Sequence, residues 1–265
     1  MHVIKVDLPR SIDKLTILPI SDTHFGDAHA DEELLRKRIE FIRDNENVYT
    51  ILCGDILNNA TRGGVSDVYG ERYSPMKAIQ YAVKLFEPIK HKVLGIVDGN
   101  HEARTYKDSG ICLGQIIAEE LGLADKYCSE GLFVFLRFGQ VRNGKHETNG
   151  SGERRKVCYT VYFSHGNGGG KKPGSKLNAL EDLAGIVDAD CYISGHVHLP
   201  GNFKECFFRV DARNSIVTNV EKTFVSLSAY LNYGGYGQRM GFKPASLSAP
   251  IVVFDGTKKD IKVTM

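Results

Sequence analysis

No apolar run in the 265 residues approaches the roughly 18 needed to cross a bilayer, and the opening stretch, Met1 to Pro9, lacks an apolar core long enough for a secretory signal. The protein is therefore expected in the cytosol, with no membrane partner. The six cysteines (Cys53, Cys112, Cys128, Cys158, Cys191 and Cys206) never fall at Cys-x-x-Cys spacing. That removes zinc-finger and thioredoxin chemistry and leaves reduced thiols, several of them in apolar runs. An excess of one charge is missing too: the formal net charge is +2, so the whole-molecule field argues neither for nor against a nucleic-acid partner. There is no internal repeat, low-complexity tract or Pro/Ser-rich linker, and the composition (42% hydrophobic, 25% charged) is that of an ordinary globular protein. One domain spanning residues 1–265 is expected.

What is present is an alternation of short apolar runs and amphipathic stretches. Leu15 to Ile20, Val48 to Cys53 and Lys92 to Val97 read as buried strands. Between them, residues 31–47 carry Leu34, Leu35, Ile39 and Ile42 at helical spacing, and residues 75–91 carry Ile79, Val83, Leu85 and Phe86. Strand, helix, strand implies right-handed parallel crossovers, which place consecutive strand ends side by side. A further helix is expected over 109–123, stopped by Gly122, and another over 177–187. From Leu132 the texture turns to β: strands are expected at 132–138, 157–163, 190–193, 203–210, 223–227, 251–254 and 261–264. Residues 56–73 lack periodicity and read as a long functional loop. Residues 141–156, polar and glycine-rich, read as an exposed hairpin excursion in which His146 is a surface histidine. Residues 229–237 set tyrosines among glycines, the rings either packing on a strand edge or lining a pocket mouth.

The polar residues at the strand ends carry the chemistry. Asp22 and His24 follow the first strand, two apart and so able to face one point. Asp55 follows the second strand, and Asn100 and His101 follow the third in Gly99-Asn100-His101-Glu102. His165 ends the strand over 157–163, and His196 and His198 follow the strand over 190–193. Packing does not explain why five strand ends deliver only imidazole and oxygen donors. A mixed nitrogen and oxygen set without thiolate suits Mn²⁺ first, with Fe or Zn²⁺ also compatible. Seven candidate ligands exceed one ion's coordination, so two divalent ions sharing a carboxylate is the economical arrangement. The run Gly166 to Lys172 is not a phosphate-binding P-loop, because Lys171 is followed by Lys172 and not by a hydroxyl residue. Its lysines either approach an anionic substrate or are simply solvated.

In Asp22-x-His24, Gly54-Asp55, Gly99-Asn100-His101-Glu102, His165 and Gly195-His196-Val197-His198, taken in that order, the chain resembles the calcineurin-like metallophosphoesterases, in particular a compact bacterial or phage-type member. The resemblance implies an α/β fold, with two β-sheets packed as a sandwich and helices outside. It implies that Asp22, His24, Asp55 and His198 hold a first metal, that Asp55, Asn100, His165 and His196 hold a second, and that His101 donates a proton to the leaving oxygen. Asp98 or Glu102 would orient His101. The implied reaction is hydrolysis of phosphomonoesters or phosphodiesters by a metal-bridging hydroxide. The sequence departs from the protein serine/threonine phosphatase branch, which continues its Gly-Asp motif with an Asp-Arg pair. Here those offsets hold Asn58 and Asn59, leaving Arg62, Arg104 and Asn58 as candidates for gripping the phosphate. Two other readings stay open: a DNA nuclease using the same site, with Arg154-Arg155-Lys156 and Lys171-Lys172 on the backbone, and a non-catalytic scaffold such as the retromer-type relatives. The scaffold relatives lack the catalytic histidine that His101 supplies here. Oligomeric state is not readable from these patterns.

Overall fold

The computed structural model describes residues 2–9, 11–64, 66–139 and 157–265, so the excursion expected over 141–156 lies outside the described residues. In chain order the elements are β1 (His2–Leu8), β2 (Lys14–Ile17), α1 (Glu32–Asp44), β3 (Val48–Cys53), α2 (Pro75–Phe86), β4 (Val93–Val97), α3 (Glu102–Ser109), α4 (Leu113–Glu120), β5 (Tyr127–Cys128), β6 (Gly131–Phe138), β7 (Val157–Ser164), α5 (Pro173–Glu181), α6 (Leu183–Ile186), β8 (Cys191–Ser194), β9 (Gly201–Asp211), β10 (Ile216–Ser226), α7 (Gly235–Arg239), β11 (Ile251–Asp255) and β12 (Ile261–Thr264).

These strands form two six-stranded sheets, ordered β12-β11-β2-β3-β4-β5 and β1-β6-β7-β8-β10-β9. Their facing sides interleave Leu15, Ile17, Ile51 and Leu94 of the first with Leu132, Val134, Phe138, Val161 and Phe163 of the second. This is the dry centre of the sandwich. Helices α1, α2 and α4 cover the outside of the first sheet, where Leu35, Ile39, Ala82, Phe86 and Ile117 are buried. Leu180 of α5 and Leu183 of α6 pack on Tyr192 and Phe224 outside the second. The four layers and the helix-flanked sandwich agree with the expectation from sequence. Among the described residues no helix is long and apolar enough to cross a membrane.

Local chemistry explains the elements that position the site. Asp31 accepts a hydrogen bond from the Leu34 amide at 3.0 Å, capping α1, whose first turn carries Glu32 and Glu33 at the positive end of the helix dipole. Lys92, buried at the entrance to β4, donates to the carbonyls of Ile42 (2.7 Å) and Asn45 (2.6 Å) and so closes the other end of α1. β2, β3 and β4 run parallel, as the crossovers require. Their carboxyl ends therefore open on one edge of the sheet, where ligands bind in open α/β sheets. β7 and β8 are likewise parallel and end at the same mouth from the second sheet.

The structure corrects several boundaries. The helix expected over 109–123 is shorter, α4 over Leu113–Glu120, and it is separated from α3 by Gly110, which caps α3 in the left-handed region at φ +74°. The first strand stops at Ile17, with Ile20 kept in register by a bridge to Leu52. β10 begins at Ile216, earlier than 223, because its first half pairs with β9 away from the body, where burial no longer patterns the side chains. β1 is not expected from sequence at all, since its partner β6 lies more than a hundred residues away.

Candidate metal centre

Seven strand-end side chains converge where the two sheets open. On one side, His198 Nε2 lies 3.0 Å from Asp22 Oδ1, and His24 Nε2 lies 3.9 Å from the same oxygen and 3.3 Å from His198 Nε2. On the other side, His165 Nε2 lies 3.2 Å from Asp55 Oδ2 and 3.1 Å from Asn100 Oδ1, while His196 Nδ1 lies 2.9 Å from Asn100 Oδ1 and 3.3 Å from His165 Nε2. Three overlapping donor groups result: Asp22-His24-His198, Asp55-His165-His196 and, between them, His24-Asp55-His101. Asp22, His24, Asp55 and His165 are buried at the floor. Asn100 is exposed and His196 and His198 are half-buried, which marks the open side.

The donor set fits divalent cations. His165 donates Nδ1–H to the Cys53 carbonyl (2.8 Å) and His196 donates Nε2–H to the Gly168 carbonyl (2.8 Å). Each ring therefore turns its other nitrogen inward with a carbonyl fixing the tautomer, the usual outer partner of a metal-ligating histidine. Inward-facing imidazole nitrogens within 3.3 Å of one another and of carboxylates are lone pairs with nothing between them but a proton or a cation.

The backbone is bent to make this possible. Asp22, His24, Asp55, His196 and His198 all have positive φ, between 45° and 67°, a region that costs a side-chain-bearing residue of order 1 kcal/mol or more. The turns are also tight. Gly54 has φ +80°, and a Cβ there would lie 2.5 Å from the Gly99 amide nitrogen, while a Cβ on Gly99 would lie 2.1 Å from Asp55 Oδ1. Glycine in Gly54-Asp55 and Gly99-Asn100 is what lets the two strand ends touch.

Electrostatics follow burial and pairing. Burial would raise the Asp22 and Asp55 carboxyls, but His198 beside the first and His165 beside the second hold both below the ordinary carboxylate range. Burial opposes protonation of His165, yet the Asp55 carboxylate carries its pKa up to about 10. His24 and His101 are pushed down, mainly by burial. The raised value favours a proton on His165 Nε2, the atom that faces Asp55, in the metal-free centre. Mn²⁺ titrated into metal-free protein in weak buffer is expected to release about one proton at this position, with affinity rising as pH climbs toward the His165 value. Metal uptake with no proton release would remove His165 from the ligands.

Not every candidate from the sequence lies where expected. Neither Asp98 nor Glu102 reaches the His101 ring. Glu102 accepts the amides of Asp55, Leu57 and Gly99, each at 2.9 Å, and so ties the Asp55 and Asn100 turns together. Burial, reinforced by the Asp55 and Asp98 charges, raises its pKa. Asp98 turns away and accepts the Tyr127 hydroxyl at 2.6 Å. Burial raises its pKa to about 6. The ring is oriented instead by the Asn58 carbonyl, which accepts Nδ1–H at 2.5 Å. Asn58 contributes that carbonyl and not its side chain, which donates to Glu71 at 2.7 Å. Arg62 is exposed and has no partner among the described residues. Arg104 reaches the site, with Nη2 2.8 Å from His101 Nε2 and Nη1 donating to Ser66 Oγ at 2.9 Å.

Sequence reasoning missed three supporting groups. Ser21 Oγ donates to Asp22 Oδ2 at 2.5 Å, the Asn59 amide donates to the His101 carbonyl at 2.6 Å, and the Gly168 carbonyl receives His196. Ser21 adjoins a proposed ligand at a strand end and could have been found. The other two depend on loop paths that no periodicity encodes. Of the tyrosines in the Tyr-Gly stretch, Tyr230 is fully buried, with the Arg38 guanidinium 4.6 Å from its ring centre, so it packs and lines nothing.

A helix-flanked double sheet carrying paired nitrogen and oxygen donor groups at its strand ends defines a protein built to hold divalent metal. The chain belongs to the calcineurin-like phosphoesterase family, whose profile matches residues 15–200. No curated protein matches the sequence at a significant level. Similar solved structures include a predicted phosphoesterase from Streptococcus pneumoniae (12% identity, 95% of this chain and 90% of that chain covered, TM-score 0.39). They also include a metallophosphoesterase from Sphaerobacter thermophilus (13%, 95% and 89%, 0.41) and a Vps29 double mutant from Entamoeba histolytica (12%, 94% and 97%, 0.42).

Proposed function

We propose that this chain is a two-metal phosphoesterase that hydrolyses phosphomonoesters or phosphodiesters, with Asp55 as the shared ligand and His101 as proton donor to the leaving oxygen. The observation that carries the reading is the position of Asp55, which belongs both to the Asp55-His165-His196 group and to the group that links it to His24. In this reading Asp22, His24, Asp55 and His198 hold one ion, and Asp55, Asn100, His165 and His196 hold the other. Mn²⁺ suits the nitrogen and oxygen set best, with Fe or Zn²⁺ compatible. When bound, the ions supply Lewis acidity to activate water and to neutralise phosphoryl oxygens.

The protein's own groups do the rest. His101 is held by the Asn58 carbonyl, so its Nε2 is the atom that handles the proton. Arg104 donates to that same nitrogen in the absence of substrate. A phosphate oxygen arriving beside it is a stronger acceptor than a neutral imidazole, so Arg104 turns to the substrate and leaves Nε2 free to take up a proton from solvent, favoured by the substrate's negative charge, and pass it to the departing alkoxide. The exposed side at Asn100, His196 and His198 is the approach path.

The test is hydrolysis of p-nitrophenyl phosphate and bis-p-nitrophenyl phosphate by metal-stripped protein resupplied with Mn²⁺, with single- and double-stranded DNA as a further arm. Metal-dependent turnover of either small ester supports the reading, DNA cleavage extends it to a nuclease, and silence in every arm with both ions bound would leave the scaffold. Arg104→Ala is expected to lower kcat/KM by about 10–100-fold, the worth of one charge-assisted hydrogen bond. Unchanged kinetics would free Arg104 from the site.

A further inference from the structure

Strand β9 ends its sheet, and among the described residues nothing pairs with its outer side. It is eleven residues long and pairs with β10 throughout, from Gly201 opposite Ser226 to Asp211 opposite Ile216. The half nearer the body is anchored, Phe203 and Phe207 packing on the cluster that contains Phe224 and Leu180. The outer half leaves the body as an arm. Phe208 is 81% exposed, Val210 68% and Val217 59%. Alternation along β9 puts exposed Cys206, Phe208 and Val210 on one face, and Val217 joins them because it stands opposite Val210. Edge strands are normally blunted by proline, a bulge, shortness or charge, and of these β9 carries only charge. β9 has no proline, its register with β10 is unbroken, and it is long for a strand.

We propose that β9 pairs antiparallel with β9 of a second copy of this chain, about a two-fold axis at Phe207, joining the two arms into one continuous sheet. The register follows from charge. Residues directly opposite in an antiparallel pair share the same hydrogen-bonding sense, so the axis must pass through a residue and not between two. An axis at Glu205 or Arg209 would set that residue against itself, and an axis at Phe208 would set Glu205 against Asp211. An axis at Cys206 would leave both charges facing phenylalanine. An axis at Phe207 sets Glu205 of each copy opposite Arg209 of the other, twice by symmetry. It also sets Cys206 opposite Phe208, closing the exposed apolar stripe on itself. Residues 203–211 then pair along their length, making about eight to ten backbone hydrogen bonds.

The charges are available for this. Glu205 has no ion-pair partner among the described residues. Arg209 is held only at the surface by Asp188 at 3.1 Å, and Asp188 keeps Lys222 Nζ at 3.0 Å when Arg209 leaves. The Lys204 and Glu221 pair at 2.6 Å lies on the exposed face with Cys206 and is left in place.

Sedimentation velocity of the full chain tests the proposal. The natural sequence is expected to be a dimer, Arg209→Glu a monomer, and Glu205→Arg/Arg209→Glu a dimer again. Arg209 is exposed and Glu205 half-buried on β9, and circular dichroism checks folding in both variants. Register is read by oxidation in a Cys158→Ser background. Phe208→Cys should give a covalent dimer through Cys206, and the parent with Phe208 intact should not. A monomer for the natural sequence, a dimer unaffected by Arg209→Glu, failure of the double exchange to restore association, failure of Phe208→Cys to crosslink, or crosslinking of Cys206 in the parent would each overturn it.

Discussion

Asp55→Asn is expected to lose bound metal and phosphoester hydrolysis together. The amide is nearly isosteric, and its oxygen can still accept the His101 N–H that Asp55 Oδ1 accepts at 2.8 Å, so the turn keeps its shape. The backbone amide of residue 55 also stays tied to Glu102. What changes is charge. Asp55 Oδ2 faces His165 Nε2 at 3.2 Å, and in the variant either a neutral oxygen or an NH₂ group stands there. A neutral amide binds a divalent ion far less well than a carboxylate, and the NH₂ orientation points protons at the place a cation would occupy. Both donor groups that share Asp55 are weakened at once. Metal analysis after gel filtration, run beside the bis-p-nitrophenyl phosphate assay, checks this. A fully loaded and active Asp55→Asn protein would sink the shared-ligand assignment. Loss of the His165–Asp55 pair should also return the His165 pKa downward toward the ordinary imidazole value, measurable by NMR titration of metal-free protein.

His101→Ala is expected to retain metal and to lower turnover by about 10²–10⁴-fold, the range for a removed general acid. The ring is buried, donates Nδ1–H to Asn58 and presents Nε2 between Arg104 at 2.8 Å and Asp55 Oδ2 at 3.8 Å. It therefore stands beside the carboxylate that the two donor groups share, on the side from which Arg104 reaches in. Because His101 also belongs to the His24-Asp55-His101 group, metal content separates two roles. Loaded but slow protein identifies a proton donor, whereas metal loss identifies a ligand. A substrate with a better leaving group should recover part of the activity only in the first case, since a weakly basic alkoxide needs no protonation.

The two variants separate binding from chemistry, and the arrangement of the loops explains why both sites are sensitive. The donor-bearing turns hold side chains at positive φ, and they are kept there by one another: Asp22 N–H donates to the Gly54 carbonyl at 3.0 Å, His24 N–H to the Asp55 carbonyl at 3.0 Å, and the His196 N–H to Asp22 Oδ2 at 3.0 Å. Strain in one turn is stabilised by hydrogen bonds from the next.

The sequence by itself determined which residues meet. Each candidate donor follows an apolar run short enough to be a buried strand, and parallel crossovers bring successive strand ends to one edge, which is enough to bring Asp22, Asp55 and Asn100 together. The helices α1 and α2 were legible for the same reason, a strong 3.6-residue period bounded by caps. Tertiary structure alone decided what surrounds those residues. The orienting group of His101 is a backbone carbonyl in an aperiodic loop, Glu102 serves three amides instead of the neighbouring ring, and Arg104 rather than Arg62 reaches the site. Backbone carbonyls carry no sequence signature, and a side chain's partner depends on which loops lie against it. The same holds for β1 and for the first half of β10: strands whose identity comes from a distant partner rather than from their own burial become visible only when the sheet is assembled.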